Sequence, residues 1–318
     1  MTLSIIIPSR AENGPLDSVV KHLPDANIVR FDATGMSPAV AVSQAMTFYS
    51  SVFTYTKTKR VLCLGDRYET MAAALTALFL RIPVAHCHGG ESTEGAFDDP
   101  LRHSITHIAD THFVAHELFS KRVFAMRSSS AGIHVVGAPG LDGIQQGSAT
   151  RSDRTIIAAY YPETMAPDHG IGACKEMLKV LSEMSAWRVK FIPTNNDPES
   201  GTLTTLIGNA IRSNPSWTWW SGTRAEYVEA IKTAALCIGN SSSFVIESPW
   251  IGCPSVIVGN RQKGRPLAPS VFQWNRGGEV GLPGVIEKAI GFNGHSNPFY
   301  CGGPVGERIA TILKGIME

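Results

Sequence analysis

Short apolar runs alternate with longer segments of helical period along most of this chain, and no other feature constrains its fold as strongly. The runs are bounded by turn-forming residues, as β-strands are. The segments between them carry apolar residues at i, i+3 and i+4, which is typical of helices that lie on a sheet. Strands alternating with helices predict an α/β protein whose parallel sheets are covered by helices on both sides.

The predicted strands are 3–7, 28–31, 61–64, 82–87, 112–115, 133–136, 155–160, 188–192, 216–220, 235–238 and 255–258. The clearest predicted helices are 69–80, 101–109, 171–184, 224–233 and 304–316. A length of 318 residues suits two domains. The most loop-like joint, 137–148, is followed by polar residues and a new strand. We therefore predict two doubly wound domains, at 1–150 and 151–318.

Two doubly wound domains present the carboxyl ends of their strands to a shared crevice. Ligands bind at that position in open α/β sheets. We therefore predict the active site in the interdomain cleft, and the residues that follow the strands are the candidates for chemistry.

The charge balance restricts the classes of partner. With 28 basic and 27 acidic residues the formal net charge is +1, so no global field attracts nucleic acid or an anionic membrane. A small molecule is the expected partner. No run of about 18 apolar residues suggests a membrane span, and 1–7 reach Pro8 too early for a signal peptide. These features predict a cytoplasmic protein with no membrane partner.

The strand at 82–87 runs into an unusually polar segment, His86–Asp99. It contains two histidines, two glutamates, two aspartates and three glycines in fourteen positions. A buried strand has no packing reason to end this way, so the segment predicts an active-site loop. No HExxH motif or cysteine pair supports a metal site. Proton transfer by carboxylates in a glycine-supported loop explains the composition better.

Charged residues also follow other strands of the N-terminal half. Arg10 comes after the first strand, where an arginine suits a phosphate, although a solvated arginine is an equal alternative. Asp66 comes after the third strand and is either a helix N-cap or a catalytic carboxylate. Arg102 lies one turn into the helix that Asp98 and Asp99 open, and an ordinary capped helix explains that segment about as well.

A second polar cluster follows the strand at 235–238. Gly239–Ser243 places free amides and three hydroxyls at a helix N-terminus, which suits a diphosphate, and Glu247 lies one turn further on. After the next strand, Arg261, Lys263 and Arg265 supply three cations in five residues. Serine caps and a solvated charged loop are the structural alternatives. Together these segments predict a diphosphate site in the C-terminal half.

Four groups of residues form motifs that are jointly hard to explain by chance. They are Gly65-Asp66-Arg67-Tyr68-Glu69; His86-Cys87-His88-Gly89-Gly90-Glu91 with Asp98–His103; Val136–Asp142; and Gly239–Ser243 with Arg261–Arg265. In this order they resemble the UDP-N-acetylglucosamine 2-epimerase family, in particular its hydrolysing branch. The resemblance runs from about Arg60 to the C-terminus.

The resemblance implies a fold, a set of partners and a domain arrangement. The fold is glycosyltransferase-B-like, with two Rossmann-like domains, no metal and no cofactor. The partner is a UDP-sugar, with UDP held mainly by the C-terminal domain. We expect a homo-oligomer, a dimer or tetramer, and allow for the last helix to pack back on the N-terminal domain.

The resemblance also implies a reaction. UDP leaves a UDP-N-acetylhexosamine by anti elimination across C1–C2, and water then adds at C1 while C2 is protonated on the opposite face. This requires a base, an acid and stabilisation of the leaving charge. The residues implied in proton transfer are Asp66, Glu91 and Asp98, with His88 as a partner. The residues implied in binding substrate and UDP are Arg10, Arg67, Arg102, Tyr161, Ser241, Ser242, Ser243, Glu247, Arg261 and Arg265.

Three features depart from the family pattern. Tyr161 stands where the family commonly has a histidine. His88 stands where some members carry a catalytic glutamate and others, of the hydrolysing branch, have histidine. Only 55 residues separate Arg10 from Asp66, so the N-terminal domain is predicted to be shortened on its sugar-binding side. Tyr161 and the shortening favour the chief alternative, a UDP-sugar-dependent glycosyltransferase of the same fold. Only in that case would nucleic acid be a partner, as the acceptor of the sugar. The density of acid–base residues argues against a third alternative, a nucleotide-sugar-binding protein without turnover.

Overall fold

The computed structural model describes residues 2–8, 10–194, 199–294 and 299–318, with side chains throughout except at 10–13. The chain forms two compact units. The first unit comprises Met1–Glu91, Asp98–Gly143 and Tyr300–Glu318. The second unit comprises Ser92–Phe97 and Ile144–Phe299. The chain thus divides a few residues before position 150, and the C-terminal residues belong to the first unit.

The strands, in chain order, are β1 (Leu3–Ile6), β2 (Asn27–Val29), β3 (Arg60–Leu64), β4 (Val84–Cys87), β5 (Thr111–Val114), β6 (Ile133–Val135), β7 (Asp153–Ala159), β8 (Arg188–Phe191), β9 (Trp217–Trp219), β10 (Ala234–Gly239), β11 (Ser255–Val258) and β12 (Val271–Trp274). The helices are α1 (Arg10–Lys21), α2 (Pro38–Tyr55), α3 (Tyr68–Phe79), α4 (Asp98–Ile108), α5 (Glu117–Arg127), α6 (Ile171–Glu183), α7 (Ser200–Ser213), α8 (Arg224–Thr233), α9 (Ser243–Ile251), α10 (Leu282–Ile290) and α11 (Val305–Met317).

Each unit contains one six-stranded parallel sheet. The strand order is β2-β1-β3-β4-β5-β6 in the first unit and β12-β11-β10-β7-β8-β9 in the second. Among the described residues, no helix has both the length and the apolar character needed to cross a bilayer. Every predicted strand overlaps an observed one. The additional strand, β12, was not predicted because it is short and Gln273, at its third position, is exposed.

The sheet of the first unit is covered on both faces. Ile5 of β1 lies in a core with Leu16 and Ile309, whereas its neighbour Ile6 lies in the opposite core with Tyr49. Side chains of a strand alternate between faces, and a parallel sheet needs apolar residues on both. The near-continuous apolar runs of the sequence therefore reflect two cores.

The last helix packs on the first unit through α1. Gly306 of α11 approaches the backbone of Ser18 so closely that a Cβ there would lie 2.5 Å from its carbonyl carbon. The carboxylate of Asp142 accepts hydrogen bonds from the amides of Val305 at 3.0 Å and Gly306 at 2.7 Å. Free amides at a helix start need such acceptors, so Asp142 fixes where α11 begins.

We expect Asp142→Ala to lower the free energy of unfolding by about 1–2 kcal/mol, the usual cost of a lost helix cap. Thermal denaturation followed by circular dichroism measures the loss. Hydrogen exchange should show faster exchange at the amides of Val305 and Gly306. Asp25→Ala, at an exposed position after α1, is the control. Unchanged exchange at those two amides would contradict the capping role.

Candidate active site

The neighbouring strands β3 and β4 end side by side at one edge of the first unit's sheet. Their last residues, Leu64 and Cys87, are paired in register. The amide of Gly65 donates to the carbonyl oxygen of Cys87 at 3.1 Å. The carboxyl ends of parallel strands meet at one edge. The sheet therefore presents Asp66 and His88, one residue beyond Gly65 and Cys87, at adjacent strand ends.

Arg102 joins two carboxylates at this edge. Its side chain is 1% exposed; it donates to Asp66 Oδ2 and, from Nη1, to Asp99 Oδ1 at 3.3 Å. A buried guanidinium needs anionic partners to offset its lost hydration. The N-cap of α3 is Arg67, so Asp66 is not that cap. The sequence-based alternative of a capping role for Asp66 is therefore wrong.

His88 and Glu91 form a second ionisable pair at the end of β4. Nδ1 of His88 lies 2.5 Å from Oε1 of Glu91, and the hydroxyl of Tyr300 donates to Oε2 at 3.1 Å. Glu91 and Tyr300 are both fully buried. Two donors thus hold the two carboxylate oxygens. No sequence pattern pointed to Tyr300, which lies far along the chain from the polar loop.

A buried histidine, His86, hydrogen-bonds to the backbone at this edge of the sheet. Its Nε2 donates to the carbonyl oxygen of Gly65 at 2.7 Å. Burial lowers its pKa to about 4, so the ring is neutral at physiological pH. Gly89 leaves room for the ring, because a Cβ there would lie 3.1 Å from Nδ1 of His86. His86 therefore fixes the turn that precedes Asp66.

Three other predicted residues occupy separate positions. Arg67 donates from Nε and Nη2 to Glu69, both at 3.0 Å, so its substrate contact stays a prediction. Asp98 is the first residue of α4 and is half-buried. Arg10 is the first residue of α1, but its side chain lies outside the described residues.

In the second unit, Asn240 connects the ends of β10 and β7. Its Oδ1 accepts from the amide of Tyr161 at 2.7 Å, and its Nδ2 donates to the carbonyl oxygen of Tyr161 at 2.8 Å. The preceding Gly239 approaches β7 so closely that a Cβ would lie 1.8 Å from the carbonyl oxygen of Ala159. Asn240 thereby fixes the backbone of Tyr161 beside the serine cluster.

The serine cluster lies at the start of α9. Ser242 is the N-cap of this helix and makes no side-chain capping bond. Oγ of Ser241 accepts from the amide of Ser243 at 3.3 Å, and Oγ of Ser243 lies 2.7 Å from the hydroxyl of Tyr227. A helix N-terminus with amides and hydroxyls suits an anion. The predicted diphosphate contact by all three serines stays a prediction.

The remaining predicted ligands of this unit also have contacts within the protein. Glu247 accepts a hydrogen bond from Arg224. The guanidinium of Arg261 lies 5.5 Å from the ring centre of Tyr161, as in a cation–π contact. The amide of Arg265 donates to the carbonyl oxygen of Gln262 at 3.2 Å. Their contacts with UDP stay predictions.

The tip of the polar loop, Ser92–Phe97, belongs to the second unit. The amide of Glu94 donates to the carbonyl oxygen of Lys263 at 2.9 Å, and its carboxylate pairs with Nζ of Lys263 at 2.8 Å. Gly95 approaches the backbone of Asn260, where a Cβ would lie 2.2 Å from the carbonyl oxygen. Gly95 therefore allows the backbone of this loop to pack closely against the backbone of Asn260.

Glu163 is a buried residue that the sequence reasoning did not single out. It accepts from the hydroxyl of Tyr160 at 2.9 Å and from the amide of Asn260 at 3.0 Å. Burial raises the pKa of this carboxyl. It links β7 to the segment that carries Arg261. The only sequence signal for Glu163 was its position two residues after Tyr161.

Within the described residues, no group of three or more His, Cys, Asp and Glu side chains could hold a metal ion.

The family model described as UDP-N-acetylglucosamine 2-epimerase matches residues 20–314 of this chain. A GDP/UDP-N,N′-diacetylbacillosamine 2-epimerase (hydrolyzing) of Campylobacter jejuni is 29% identical over 239 residues, covering 71% of this chain and 62% of that protein. A UDP-N,N′-diacetylbacillosamine 2-epimerase (hydrolyzing) of Legionella pneumophila is 29% identical over 301 residues, covering 90% and 78%. The chain thus spans less than two thirds of the length of the Campylobacter protein.

Among solved structures, the fold is similar to that of a Methanocaldococcus jannaschii UDP-GlcNAc 2-epimerase in complex with UDP-GlcNAc and UDP. The TM-score is 0.82 at 17% identity, covering 99% of this chain and 100% of that chain. The likeness confirms the predicted fold class of two Rossmann-like, glycosyltransferase-B-like domains.

Proposed function

This chain belongs to the UDP-N-acetylglucosamine 2-epimerase family, and we propose that it is a hydrolysing 2-epimerase. Its substrate is a UDP-linked N-acetylamino sugar, and its products are UDP and the free sugar with inverted C2. The names of the Campylobacter and Legionella relatives support hydrolysis. The observation that carries the proposal is the placement of two ionisable pairs, Asp66–Arg102 and His88–Glu91, at adjacent strand ends.

Elimination of UDP requires removal of the C2 proton on one side and departure of the diphosphate on the other. The first unit supplies groups for the proton, since Asp66, His88 and Asp98 follow strand ends or open a helix there. General acid–base groups in such positions contribute roughly a hundred- to ten-thousand-fold to a rate. Arg102 holds Asp66 in place, so that this carboxylate does not have to be ordered during the reaction.

The second unit supplies groups for UDP. The start of α9 brings backbone amides and the hydroxyls of Ser241 and Ser242 together, and a helix N-terminus favours a diphosphate. Arg261 and Arg265 add positive charge that stabilises the negative charge on departing UDP. Glu247, held by Arg224, is an acceptor suited to the ribose hydroxyls.

We further propose that the reaction needs no metal or cofactor and that the protein works in the cytoplasm as a dimer or tetramer. Arginine side chains can stabilise the leaving diphosphate without a cation. Turnover should therefore survive dialysis against a chelator, and light scattering should give more than the monomer mass of 34.2 kDa. Loss of activity on chelation would refute the metal-free mechanism.

Incubation in deuterated water tests the proposed reaction. UDP-N-acetylglucosamine and UDP-N,N′-diacetylbacillosamine are supplied separately, and the products are followed by proton NMR. We expect free UDP, a free sugar of inverted C2 configuration, and one deuterium at C2. Transfer of an unchanged sugar to an added acceptor would instead establish the glycosyltransferase alternative, and binding of UDP without release of sugar would establish a binding protein.

A further inference from the structure

A chain of hydrogen bonds links Tyr300, Glu91 and His88 within the first unit. The Tyr300 hydroxyl and Nδ1 of His88 take one carboxylate oxygen of Glu91 each, at 3.1 and 2.5 Å. Glu91 and Tyr300 are fully buried, whereas the His88 side chain is 14% exposed. The carboxylate is therefore enclosed, and the imidazole is the member of the chain that reaches solvent.

The hydrogen bonds determine which nitrogen of His88 carries the proton. An ionised carboxylate only accepts hydrogen bonds. With Glu91 ionised, Nδ1 of His88 is the donor to its carboxylate, and a neutral ring then keeps a lone pair on Nε2. No described residue hydrogen-bonds to Nε2. This ring is thus oriented as a base, with its basic nitrogen directed away from its carboxylate partner.

The backbone that carries this ring is left-handed at His88 and again at Gly90. His88 has a φ of +63°, a left-handed conformation that few residues other than Gly adopt, with Asn, Asp and His the most frequent among them. Gly90 follows with a φ of +78°, and a Cβ there would lie 2.5 Å from the carbonyl oxygen of Phe119. Strained backbone of this kind is concentrated at functional sites.

Tyr300 is held by elements of the first unit other than its own. The carbonyl oxygen of the next residue, Cys301, accepts from the amide of Ala138 at 2.8 Å. The ring of Tyr300 packs against Phe119 with centroids 5.7 Å apart. Its hydroxyl therefore reaches Glu91, 209 residues away in sequence, from a fixed position.

From these contacts we propose that His88 is the base that takes the C2 proton, and that Glu91 and Tyr300 are positioning residues that hold its ring. The inference rests on the proposed function and assigns a step of it. The Nε2 lone pair takes the proton, and the electrons of the C2–H bond form the C1=C2 double bond. The C1–O bond breaks, and its electron pair leaves with UDP. The Glu91 carboxylate then stabilises the imidazolium.

Tyr300→Phe tests the positioning role, because it removes one hydroxyl and nothing else. We expect kcat to fall about tenfold, in line with the loss of a hydrogen bond to a charged group, with KM changed less than twofold. The kinetic isotope effect with substrate deuterated at C2 should increase as proton transfer becomes slower. Tyr49→Phe is the matched control, since the Tyr49 hydroxyl is also buried and has no partner among the described residues.

His88→Gln tests the base itself and should lower kcat at least a hundredfold while UDP binding persists. In wild-type protein, proton NMR should show a far-downfield imidazole proton that is absent in His88→Gln and shifted in Tyr300→Phe. Should Tyr300→Phe fail to fold, Glu91→Gln is the substitute, with the same expected loss of kcat and larger isotope effect.

Three results separate the possible failures. Wild-type protein that releases no UDP and places no deuterium at C2 would refute the proposed function. A wild-type enzyme with the expected products, but with unchanged kcat and isotope effect in Tyr300→Phe, would refute the positioning role. His88→Gln with more than a tenth of wild-type kcat would refute the assignment of the base.

Discussion

Asp98→Asn is expected to reduce turnover by roughly a hundred- to ten-thousand-fold, the contribution of a positioned acid–base group. The substitution keeps the size of the side chain and its capacity to accept a hydrogen bond at the start of α4, but it removes the ability to exchange a proton. Steady-state kinetics with UDP-N-acetylglucosamine measures the loss. Calorimetric titration with UDP should show little change, because the proposed UDP ligands lie in the second unit.

The neighbouring Asp99 provides a control in the same turn of the helix. Its carboxylate is bound by Arg102 and by Nε2 of His103, both at 3.3 Å, so its observed contacts are structural. Asp99→Asn should therefore lower the melting temperature and leave kcat nearly unchanged. Full activity in Asp98→Asn would exclude Asp98 from proton transfer. Loss of UDP binding in the same variant would make it a ligand contact instead.

The strand ends of the candidate site could be located from the sequence because their cause is local. Apolar runs fix where β3, β4 and β10 end, and parallel pairing brings those ends to one edge of each sheet. The proximity of Asp66 and Arg102 follows from β3, β4 and the helix that returns after β4. Polar residues directly after buried strands were therefore a sufficient signal.

The partners of these residues could not be located in the same way. Tyr300 reaches Glu91 across 209 positions, and no periodicity predicts a contact of that separation. Glu247 pairs with Arg224 on a different helix. Nothing in the spacing of 239–243 indicated that Asn240 would bind the backbone of Tyr161. Such contacts depend on tertiary packing and side-chain rotamers, which a one-dimensional pattern does not contain.

The first unit is expected to lose stability as the pH falls from about 6.5 to about 4, because two of its buried histidines resist protonation. The pKa of His86 is lowered from 6.5 to about 4 and that of His112 to about 3, in both cases mainly by burial. The two residues are paired across β4 and β5, so the charge on one disfavours charge on the other. Nε2 of His112 also accepts a hydrogen bond from Arg127 at 2.8 Å, which protonation would break.

The direction of the effect follows from proton counting. Between pH 6.5 and 4 the unfolded chain binds protons at both imidazoles, and the folded chain does not. The free energy of unfolding therefore falls as the pH falls through this window, and the contribution is fully present above pH 6.5. At pH 5 the loss is about 2 kcal/mol for each histidine, from roughly 1.4 kcal/mol per pH unit.

The two units can be followed separately in this experiment, because all six tryptophans lie in the second unit, within Ile144–Phe299. Urea unfolding at pH 7 and pH 5 should show the acid-induced loss in far-ultraviolet circular dichroism before it shows in tryptophan fluorescence. His112→Gln keeps an acceptor for Arg127 but cannot be protonated, so it should reduce the difference between pH 7 and pH 5 by about 2 kcal/mol. His107→Gln, on the exposed side of α4, should retain the full wild-type difference. If His112→Gln retains it as well, the acid sensitivity does not arise from His112, and the neutral pair between β4 and β5 is not its cause.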